Sequence, residues 1–265
     1  MATTEERVQR GEEVMQELSA GARRAAGLPE YEIAPDMGKW VTASLFGDVW
    51  GRPDLPKKVR SIATMSTLTV MGREPQLRSH VNFALNLGWA KEEIAELFFH
   101  LALYGGLPAS LNALRVAREV FQQRGLLETK EATTGEIPPT SEERFAKGVE
   151  VLKELTGGQS DVSMGKDVEL VPGMNDYIVE ALFGDVWGRP ALPKKIRSIA
   201  TMSALTALGR EPQLKGHIGW ALNLGWAKEE IAELFFHLAF YGGLPASLNA
   251  LRLAREVFQE RGLIS

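Results

Sequence analysis

The sequence predicts an all-α protein made of two copies of one helical unit. Apolar residues recur at intervals of three and four along several long segments, and no segment alternates polar and apolar residues as a half-buried strand would. Prolines and glycines stand where these segments begin and end, as they do at helix boundaries. A shift of 137 residues superimposes the chain on itself without a gap.

The duplication is strongest in the later part of each copy. Of the 82 positions that pair residues 46–127 with 183–264, 68 are identical. The segments before them match at few positions, among which Gly11 and Gly148 keep the register. A period of this length is that of a duplicated domain rather than of a solenoid repeat.

The two copies are joined by the stretch ETKEATTGEIPPTS. This stretch is polar, poor in apolar residues and contains proline and glycine, which is typical of a linker. We therefore predict a first domain at 1–127, a linker at 128–140 and a second domain at 141–265.

Each unit is expected to contain six helices. The second helix is predicted to be capped by Asp36, because an aspartate there can accept N–H groups of the first turn. In EPQLRSHVNFALNLG, Leu77, Val81 and Ala84 share one face, and Gly88 ends the helix. In the first unit the predicted helices lie near 6–18, 36–48, 56–72, 74–88, 90–104 and 108–125.

Composition excludes several classes of protein. The chain has 265 residues, of which 45% are hydrophobic and 24% charged, as in a globular protein with a sizeable core. It has no cysteine, which rules out disulfides, thiolate metal sites, cysteine nucleophiles and dithiol redox chemistry. No GxGxxG or Walker pattern is present, so we expect no nucleotide cofactor, and we predict neither a cofactor nor a metal.

Charge and hydropathy argue against nucleic-acid and membrane partners. The formal net charge is −4, and lysines and arginines never cluster beyond pairs. The charged start MATTEERVQRGEE lacks the apolar core of a signal peptide. The most apolar run, near 97–107, falls far short of the ~20 residues of a membrane helix. We expect a cytoplasmic protein.

The four histidines form two equivalent pairs, His80/His217 and His100/His237. His80 lies among apolar residues of its helix. An imidazole there is either an acid/base group in a pocket wall or a core side chain hydrogen-bonded to a carbonyl. The residues alone leave both interpretations open.

Two glutamates and a histidine share one stripe of the predicted fifth helix. Glu93, Glu96 and His100 have i, i+3, i+7 spacing, and Glu96 could raise the pKa of His100 one turn away. The alternatives are a solvated stripe, an interface or a pocket wall. A metal site has little support, since no third histidine is near. The second copy repeats the stripe as Glu230, Glu233 and His237.

Arginines and aromatic residues are the binding candidates. Arg60 belongs to a mostly apolar helix, so its charge needs an anionic partner. That partner is either a glutamate of the protein or a substrate carboxylate held by the guanidinium fork. Trp50 and Tyr104 are candidates for lining the same site, although such aromatics are often core residues. The binding candidates of the two copies are Arg52, Arg60, Trp50 and Tyr104, and Arg189, Arg197, Trp187 and Tyr241.

Three ordered segments, VWGRP-x-LPKK-x-RS, GREPQL-x3-H and GWAKEEIAELFFHLA-x-YGGLPAS-x-NA, resemble the γ-carboxymuconolactone decarboxylase family. The resemblance covers about 40–127 and 177–264, and it implies the alkylhydroperoxidase D-like all-α fold. It also implies a cofactor-independent carboxy-lyase acting on a carboxylated lactone or related small carboxylic acid. Thiol peroxidases of the same fold use a CxxC pair, which this chain lacks.

The resemblance further implies an assembly and a set of acting residues. Single-domain members form hexameric rings with active sites between neighbouring domains, so two fused domains imply a homotrimer. The motif positions assign catalysis to histidine and glutamate. The implied catalytic residues are His80, His217, Glu93, Glu230, Glu96 and Glu233, with His100 and His237 of second rank.

The resemblance suggests a mechanism with clear alternatives. We hypothesise that Arg60 or Arg52 binds the retained carboxylate, Tyr104 donates to the oxyanion, and His80, tuned by a glutamate, delivers a proton to carbon. A lactone or enone isomerase or a cyclase would use the same groups without loss of CO2. A non-catalytic ring that binds small molecules is the alternative outside enzymes.

Overall fold

The protein is all-α, as predicted. The computed structural model describes residues 2–22, 29–127, 138, 140–158 and 164–265. These residues form twelve α-helices and no strand. None of the described helices is long and apolar enough to cross a membrane. The predicted linker lies outside the described residues, apart from Pro138 and Thr140.

The first unit contains six α-helices. A 3-10 turn at Pro29–Glu32 precedes the second helix, and another at Leu101–Leu103 follows the fifth. The second helix continues without a break into a π-helical segment, Thr42–Trp50, which the sequence did not predict. The helices are α1 (Thr4–Leu18), α2 (Pro35–Val41), α3 (Lys57–Val70), α4 (Glu74–Asn86), α5 (Lys91–His100) and α6 (Leu107–Gln123).

The second unit repeats this order. Its π-helical segment is Val179–Trp187, and a 3-10 turn occupies Lys166–Leu170. The helices are α7 (Ser141–Thr156), α8 (Met174–Ile178), α9 (Lys194–Ala207), α10 (Glu211–Asn223), α11 (Lys228–Leu238) and α12 (Leu244–Glu260).

Helix boundaries follow local chemistry, with one correction. Thr3 and Glu6 form a reciprocal capping box at the start of α1. The prediction that Asp36 caps α2 is wrong. Ala34 is the N-cap residue and makes no side-chain cap bond, because the helix begins at Pro35 and places Asp36 inside the first turn. A carboxylate there still favours the helix through its dipole.

A glycine lets α1 lie directly on the π-helical segment. A Cβ at Gly11 would overlap the carbonyl oxygen of Thr42, so only glycine permits this approach of two backbones. Gly148 makes the same approach to Val179 in the second unit. The contact places Trp50, the last residue of the segment, in the protein interior.

The two units share one hydrophobic core. Helices α3 and α9 pack against each other, and Ile62 and Met65 lie in the same buried cluster as Ile199 and Met202. The same packing brings α11 against α3 and α5 against α9. Each fifth helix of a unit therefore meets the third helix of the other.

Candidate active site between the two units

Two equivalent polar clusters lie where the units meet. One unit supplies two arginines, a threonine, a tryptophan and a histidine to each cluster. The other unit supplies a glutamate, a tyrosine and a second histidine. Site A consists of Trp50, Arg52, Arg60, Thr64 and His80 with Glu233, His237 and Tyr241. Site B consists of Trp187, Arg189, Arg197, Thr201 and His217 with Glu96, His100 and Tyr104.

In site A, a glutamate of the second unit is held by two arginines of the first. Arg60 is fully buried, and its Nη2 lies 2.8 Å from Oε1 of Glu233. Its Nε donates to the carbonyl of Leu55 at 3.1 Å, which fixes the guanidinium plane. Arg52 donates from Nε to the same glutamate oxygen at 2.7 Å. The partner of Arg60 is therefore a glutamate of the protein.

Site B repeats the arrangement with the units exchanged. Arg197 Nη2 and Arg189 Nε each lie 2.7 Å from Oε1 of Glu96. Glu96 is buried, so the solvated-stripe interpretation of this residue is wrong. Burial lowers the pKa of Arg197 and the bond to Glu96 opposes that change, while an arginine stays charged throughout.

The second arginine of each site differs in its exposure to solvent. The side chain of Arg52 is 44% exposed and also approaches Asp54, with Nη2 3.4 Å from Oδ2. Its guanidinium carbon lies 5.3 Å from the ring centre of Phe236. Arg189 is placed similarly over Phe99 at 4.4 Å. The side chain of Arg189 is only 9% exposed, so this arginine is open to solvent in site A and nearly buried in site B, while Arg60 and Arg197 are fully buried.

Tryptophan, tyrosine, threonine and histidine form a second set of contacts between the units. In site A, Trp50 Nε1 donates to Tyr241 Oη at 2.8 Å, and Thr64 Oγ1 lies 2.8 Å from His237 Nε2. The corresponding atoms of site B have the same two separations. Sequence reasoning did not select the threonines, although Thr64 follows Arg60 by one helical turn and so shares its face.

The other histidine of each site lies against aromatic rings. His80 stacks on Trp50, with 6.1 Å between ring centres, and meets the rings of Tyr241 and Phe83 edge-on at 5.4 and 5.3 Å. His217 packs in the same way, except that Trp220 replaces Phe83 and comes within 4.5 Å. His80 and His217 are thus side chains of the site walls.

Burial keeps His100, His217 and His237 neutral and the phenols protonated. It lowers the pKa of His100 and His237 well below the ordinary value, with nearby arginines adding to the effect. Burial alone lowers the pKa of His217 to about 3. Burial raises the pKa of Tyr104 to about 12, against hydrogen bonds from Trp187 and Thr201, and it raises that of Tyr241.

Several buried polar atoms of the sites have no hydrogen-bond partner among the described residues. In site B they include Arg197 Nη1, Glu96 Oε2 and His217 Nδ1, and in site A Arg60 Nη1 and His237 Nδ1. Buried polar atoms are nearly always paired in folded proteins. A donor, an acceptor and a titratable nitrogen in one place are the features of a site for a small polar ligand.

Two predicted catalytic residues are used differently. The carboxylate of Glu93 accepts the N–H of Ala90 at 2.8 Å, and Glu230 accepts that of Ala227 at 2.9 Å. Both therefore cap the first turn of their helices, about one turn before the glutamate of the site. Within the described part of the chain, no recorded contact links Glu93 or Glu230 to site A or site B.

A surface depression of the second unit lies away from both sites, since none of its lining residues belongs to site A or site B. A depression of about 470 Å³ on the second unit is lined by Asn223, Trp226 and Arg261, among others. Among the residues that the structure describes, no three histidine, aspartate or glutamate side chains are grouped as ligands for a metal.

The fold and the paired sites define a duplicated all-α protein whose two units complete each other's polar clusters. A sequence model of the carboxymuconolactone decarboxylase family matches residues 35–119 and 172–256. The chain therefore belongs to the carboxymuconolactone decarboxylase family, in agreement with the resemblance noted in the sequence.

Individual relatives are similar to one unit. A 4-carboxymuconolactone decarboxylase of Acinetobacter baylyi is 37% identical over 126 residues, which are 46% of this chain and 92% of the relative. A nitrosuccinic acid decarboxylase of Metarhizium robertsii is 26% identical over 117 residues, 44% of this chain and 82% of the relative.

A solved structure is similar over the whole length. It is a chain from Burkholderia xenovorans LB400, provisionally named a gamma-carboxymuconolactone decarboxylase subunit. The TM-score is 0.57 at 22% identity, with 96% of this chain and 98% of that chain covered. At this identity the likeness supports the fold.

Proposed function

We propose that the protein is a cofactor-independent decarboxylase of a small carboxylic acid, of which a carboxylated lactone is the first candidate. Membership of the family and the names of two relatives support this assignment. A carboxylated lactone and nitrosuccinic acid share one property: each carries a carboxyl group near an electron-withdrawing group that can accept the electrons left by CO2. That shared chemistry defines the proposed substrate class.

The observation that carries the proposal is the set of unpartnered polar atoms in site B. Arg197 Nη1 is a buried cationic donor, suited to an oxygen of a substrate carboxylate. Trp187 and the ring of Tyr104 supply an apolar wall beside it. The arginine can then hold the carboxylate that is retained, while the departing carboxylate lies against the apolar wall, where it loses CO2 more readily because water does not solvate its charge.

The reaction we propose has two steps. In the first, the bond between the substrate carbon and its carboxylate breaks, CO2 leaves, and the electron pair moves into the conjugated carbonyl to form an enolate. In the second, the enolate carbon takes up one proton. Arg52 or Arg60, or their counterparts, bind the carboxylate that is retained. Overall, one proton is consumed for each CO2 released.

His217 and its counterpart His80 are the proposed proton donors. In the substrate-free site, burial keeps His217 neutral, with a pKa of about 3. A bound carboxylate raises the pKa of an adjacent imidazole, because the negative charge favours the protonated form. The imidazole then takes a proton from solvent and delivers it to carbon. His100 and His237 are fully buried, hydrogen-bonded to threonines, and serve to hold the units together.

We further propose that three chains form a ring of six units. Exposed leucines support this, since exposed Leu107 and Leu111 of the first unit recur as exposed Leu244 and Leu248 of the second. Contiguous exposed apolar surface is typical of contacts between subunits. Light scattering should then give the mass of three chains of 29.2 kDa. The exposed side chains are Leu103, Leu107, Leu111, Leu244 and Leu248.

The decisive experiment measures CO2 release and product mass for a panel of carboxylated lactones and nitro- or keto-substituted dicarboxylic acids. We expect turnover of at least one compound without an added cofactor. The double variant His80→Gln, His217→Gln should lower kcat by about 10²- to 10⁴-fold, the usual contribution of an acid/base group.

Two outcomes would count against the proposal. If no compound of the panel is turned over, the decarboxylase assignment loses its support. If the histidine variant keeps full turnover in an intact assembly, the two histidines are not the proton donors. Exposed Glu92 and Glu229 offer a matched control, since Glu→Gln there should leave kcat unchanged.

A further inference from the structure

The hydrogen bonds at Tyr241 determine where its proton can point. Trp50 Nε1 lies 2.8 Å from Tyr241 Oη. An indole N–H can only donate, so the phenol oxygen accepts this bond. The proton of the phenol must then go to a different partner.

Thr64 supplies a second hydrogen bond to the same phenol. Its Oγ1 lies 2.8 Å from Nε2 of His237, and its hydroxyl lowers the pKa of Tyr241, as a donor to the phenol oxygen does. The backbone of Arg60 raises the pKa of His237 against the effect of burial, which is the influence of a carbonyl oxygen that faces a ring N–H. Because a carbonyl only accepts, one ring nitrogen carries a proton there.

That nitrogen is Nε2. The other nitrogen of His237, Nδ1, has no hydrogen-bond partner among the described residues. Nε2–H is therefore shared between Thr64 and the carbonyl of Arg60, and the hydroxyl of Thr64 acts as an acceptor towards the histidine. The hydroxyl proton of Thr64 is then left to donate to Tyr241.

We propose that Thr64 and Thr201 are positioning residues that turn the phenolic protons of Tyr241 and Tyr104 towards the oxyanion that forms on the substrate. A phenol that accepts two hydrogen bonds has only its own O–H left to give, and the developing enolate oxygen is the acceptor that the reaction provides. The inference rests on the proposed decarboxylation and assigns its oxyanion donor.

Site B repeats the same order of contacts. Trp187 Nε1 lies 2.8 Å from Tyr104 Oη, and His100 Nε2 lies 2.8 Å from Thr201 Oγ1. His100 bonds the backbone of Arg197 as well. In both sites the threonine and the tyrosine come from different units, so the donor is oriented only when the units are paired.

The kinetic test removes the hydroxyls and keeps the shape. In the double variant Thr64→Val, Thr201→Val, kcat on a compound that the unmodified protein turns over should fall about tenfold to a hundredfold. KM should change by less than about threefold, because the phenol acts on the transition state. Thr64→Ser with Thr201→Ser keeps the hydroxyls and should restore most of kcat.

A matched control uses buried threonines of the same helices. Thr69 and Thr206 donate to the carbonyls of Met65 and Met202 within their own helices. Their replacement by valine should leave kcat unchanged. If the Thr64 and Thr201 variants keep the unmodified kcat, or lose it only as the control does, the positioning role is overturned.

A measurement without substrate separates this inference from the proposed function. Nitrogen NMR of histidine side chains should show His100 and His237 as neutral Nε2–H tautomers, with assignments from the His100→Gln and His237→Gln variants. An Nδ1–H tautomer would overturn the order of bonds even in an active enzyme. Absence of turnover on the whole panel would instead contradict the decarboxylase assignment, whatever the tautomer.

Discussion

Arg60 on α3 and Glu233 on α11 form a buried ion pair that joins the two units of the chain, with 2.8 Å between Nη2 and Oε1. Arg197 and Glu96 form the reciprocal pair at 2.7 Å. Each third helix is thus tied to the fifth helix of the other unit. The same four residues therefore contribute both to the contact between the units and to sites A and B.

Removal of one carboxylate from these pairs should destabilise the protein strongly. Glu233→Gln leaves Arg60 buried without a counter-charge, which costs about 3–5 kcal/mol in comparable buried pairs. Urea unfolding at pH 7.5 measures this loss, and Glu96→Gln should give a similar value. The control Glu229→Gln removes an exposed carboxylate and should change stability by less than about 0.5 kcal/mol. Equal losses at Glu233 and Glu229 would contradict the role assigned to the buried pair.

Stability should fall as the pH is lowered below about 6.5. Burial lowers the pKa of His217 from 6.5 to about 3, and the pKa values of His100 and His237 shift in the same direction. Below pH 6.5 the unfolded chain takes up protons that the folded protein does not, so the free energy of unfolding decreases. Each such histidine contributes about 1.4 kcal/mol per pH unit in that window.

The histidine contribution can be isolated with His217→Gln. Unfolding free energies at pH 7.5 and 5.0 should differ less in this variant than in the unmodified protein, by roughly 2 kcal/mol for the 1.5 pH units between 6.5 and 5.0. An identical pH dependence in the two proteins would show that His217 is not held neutral by the fold.

Glycines at crowded and at open positions should respond in opposite ways to an added methyl group. Gly11→Ala and Gly148→Ala push a Cβ into the carbonyls of Thr42 and Val179, and overpacking of this kind costs about 1–3 kcal/mol. Gly216→Ala meets no atom within 4 Å inside α10 and should stabilise by about 0.5–1 kcal/mol. Thermal unfolding of the three variants tests the packing of α1 and α7, and a neutral Gly11→Ala would contradict it.

Both sites are expected to turn over substrate. His80→Gln alone and His217→Gln alone should each retain about half of kcat with KM little changed, since each leaves one site intact. The sites differ in the ring beside the proposed proton donor, which is Phe83 at His80 and Trp220 at His217. Loss of all activity in one single variant would show that only one site is competent.

Local sequence patterns predicted most of the helices. Apolar spacing located α3 to α6, and Pro108 and Gly125 bound α6 as expected, because a proline fits the first turn and a glycine the left-handed residue after the last. The π-helical segment at Thr42–Trp50 was missed. It is stabilised by the backbone contact with Gly11, which lies on a different helix and leaves no local signal.

The sequence predicted most of the residues of the candidate site but not which of them contact each other. Buried arginines, glutamates and histidines were found because their charge or chemistry conflicts with an apolar neighbourhood. Glu93 was selected by motif, although its position three residues into α5 suits the cap that it forms. Thr64 was passed over because a threonine is unremarkable in a helix until its partner is known.

The sequence by itself determined that the protein is helical, duplicated and free of cysteine, and that Arg60 and His80 lie among apolar residues of their helices. Only the tertiary structure decided which copy of each partner is used. Arg60 could pair with Glu96 or with Glu233, and the sequence around both glutamates is identical. The choice of Glu233 follows from the packing of α3 on α9, which places the fifth helix of the opposite unit over each arginine.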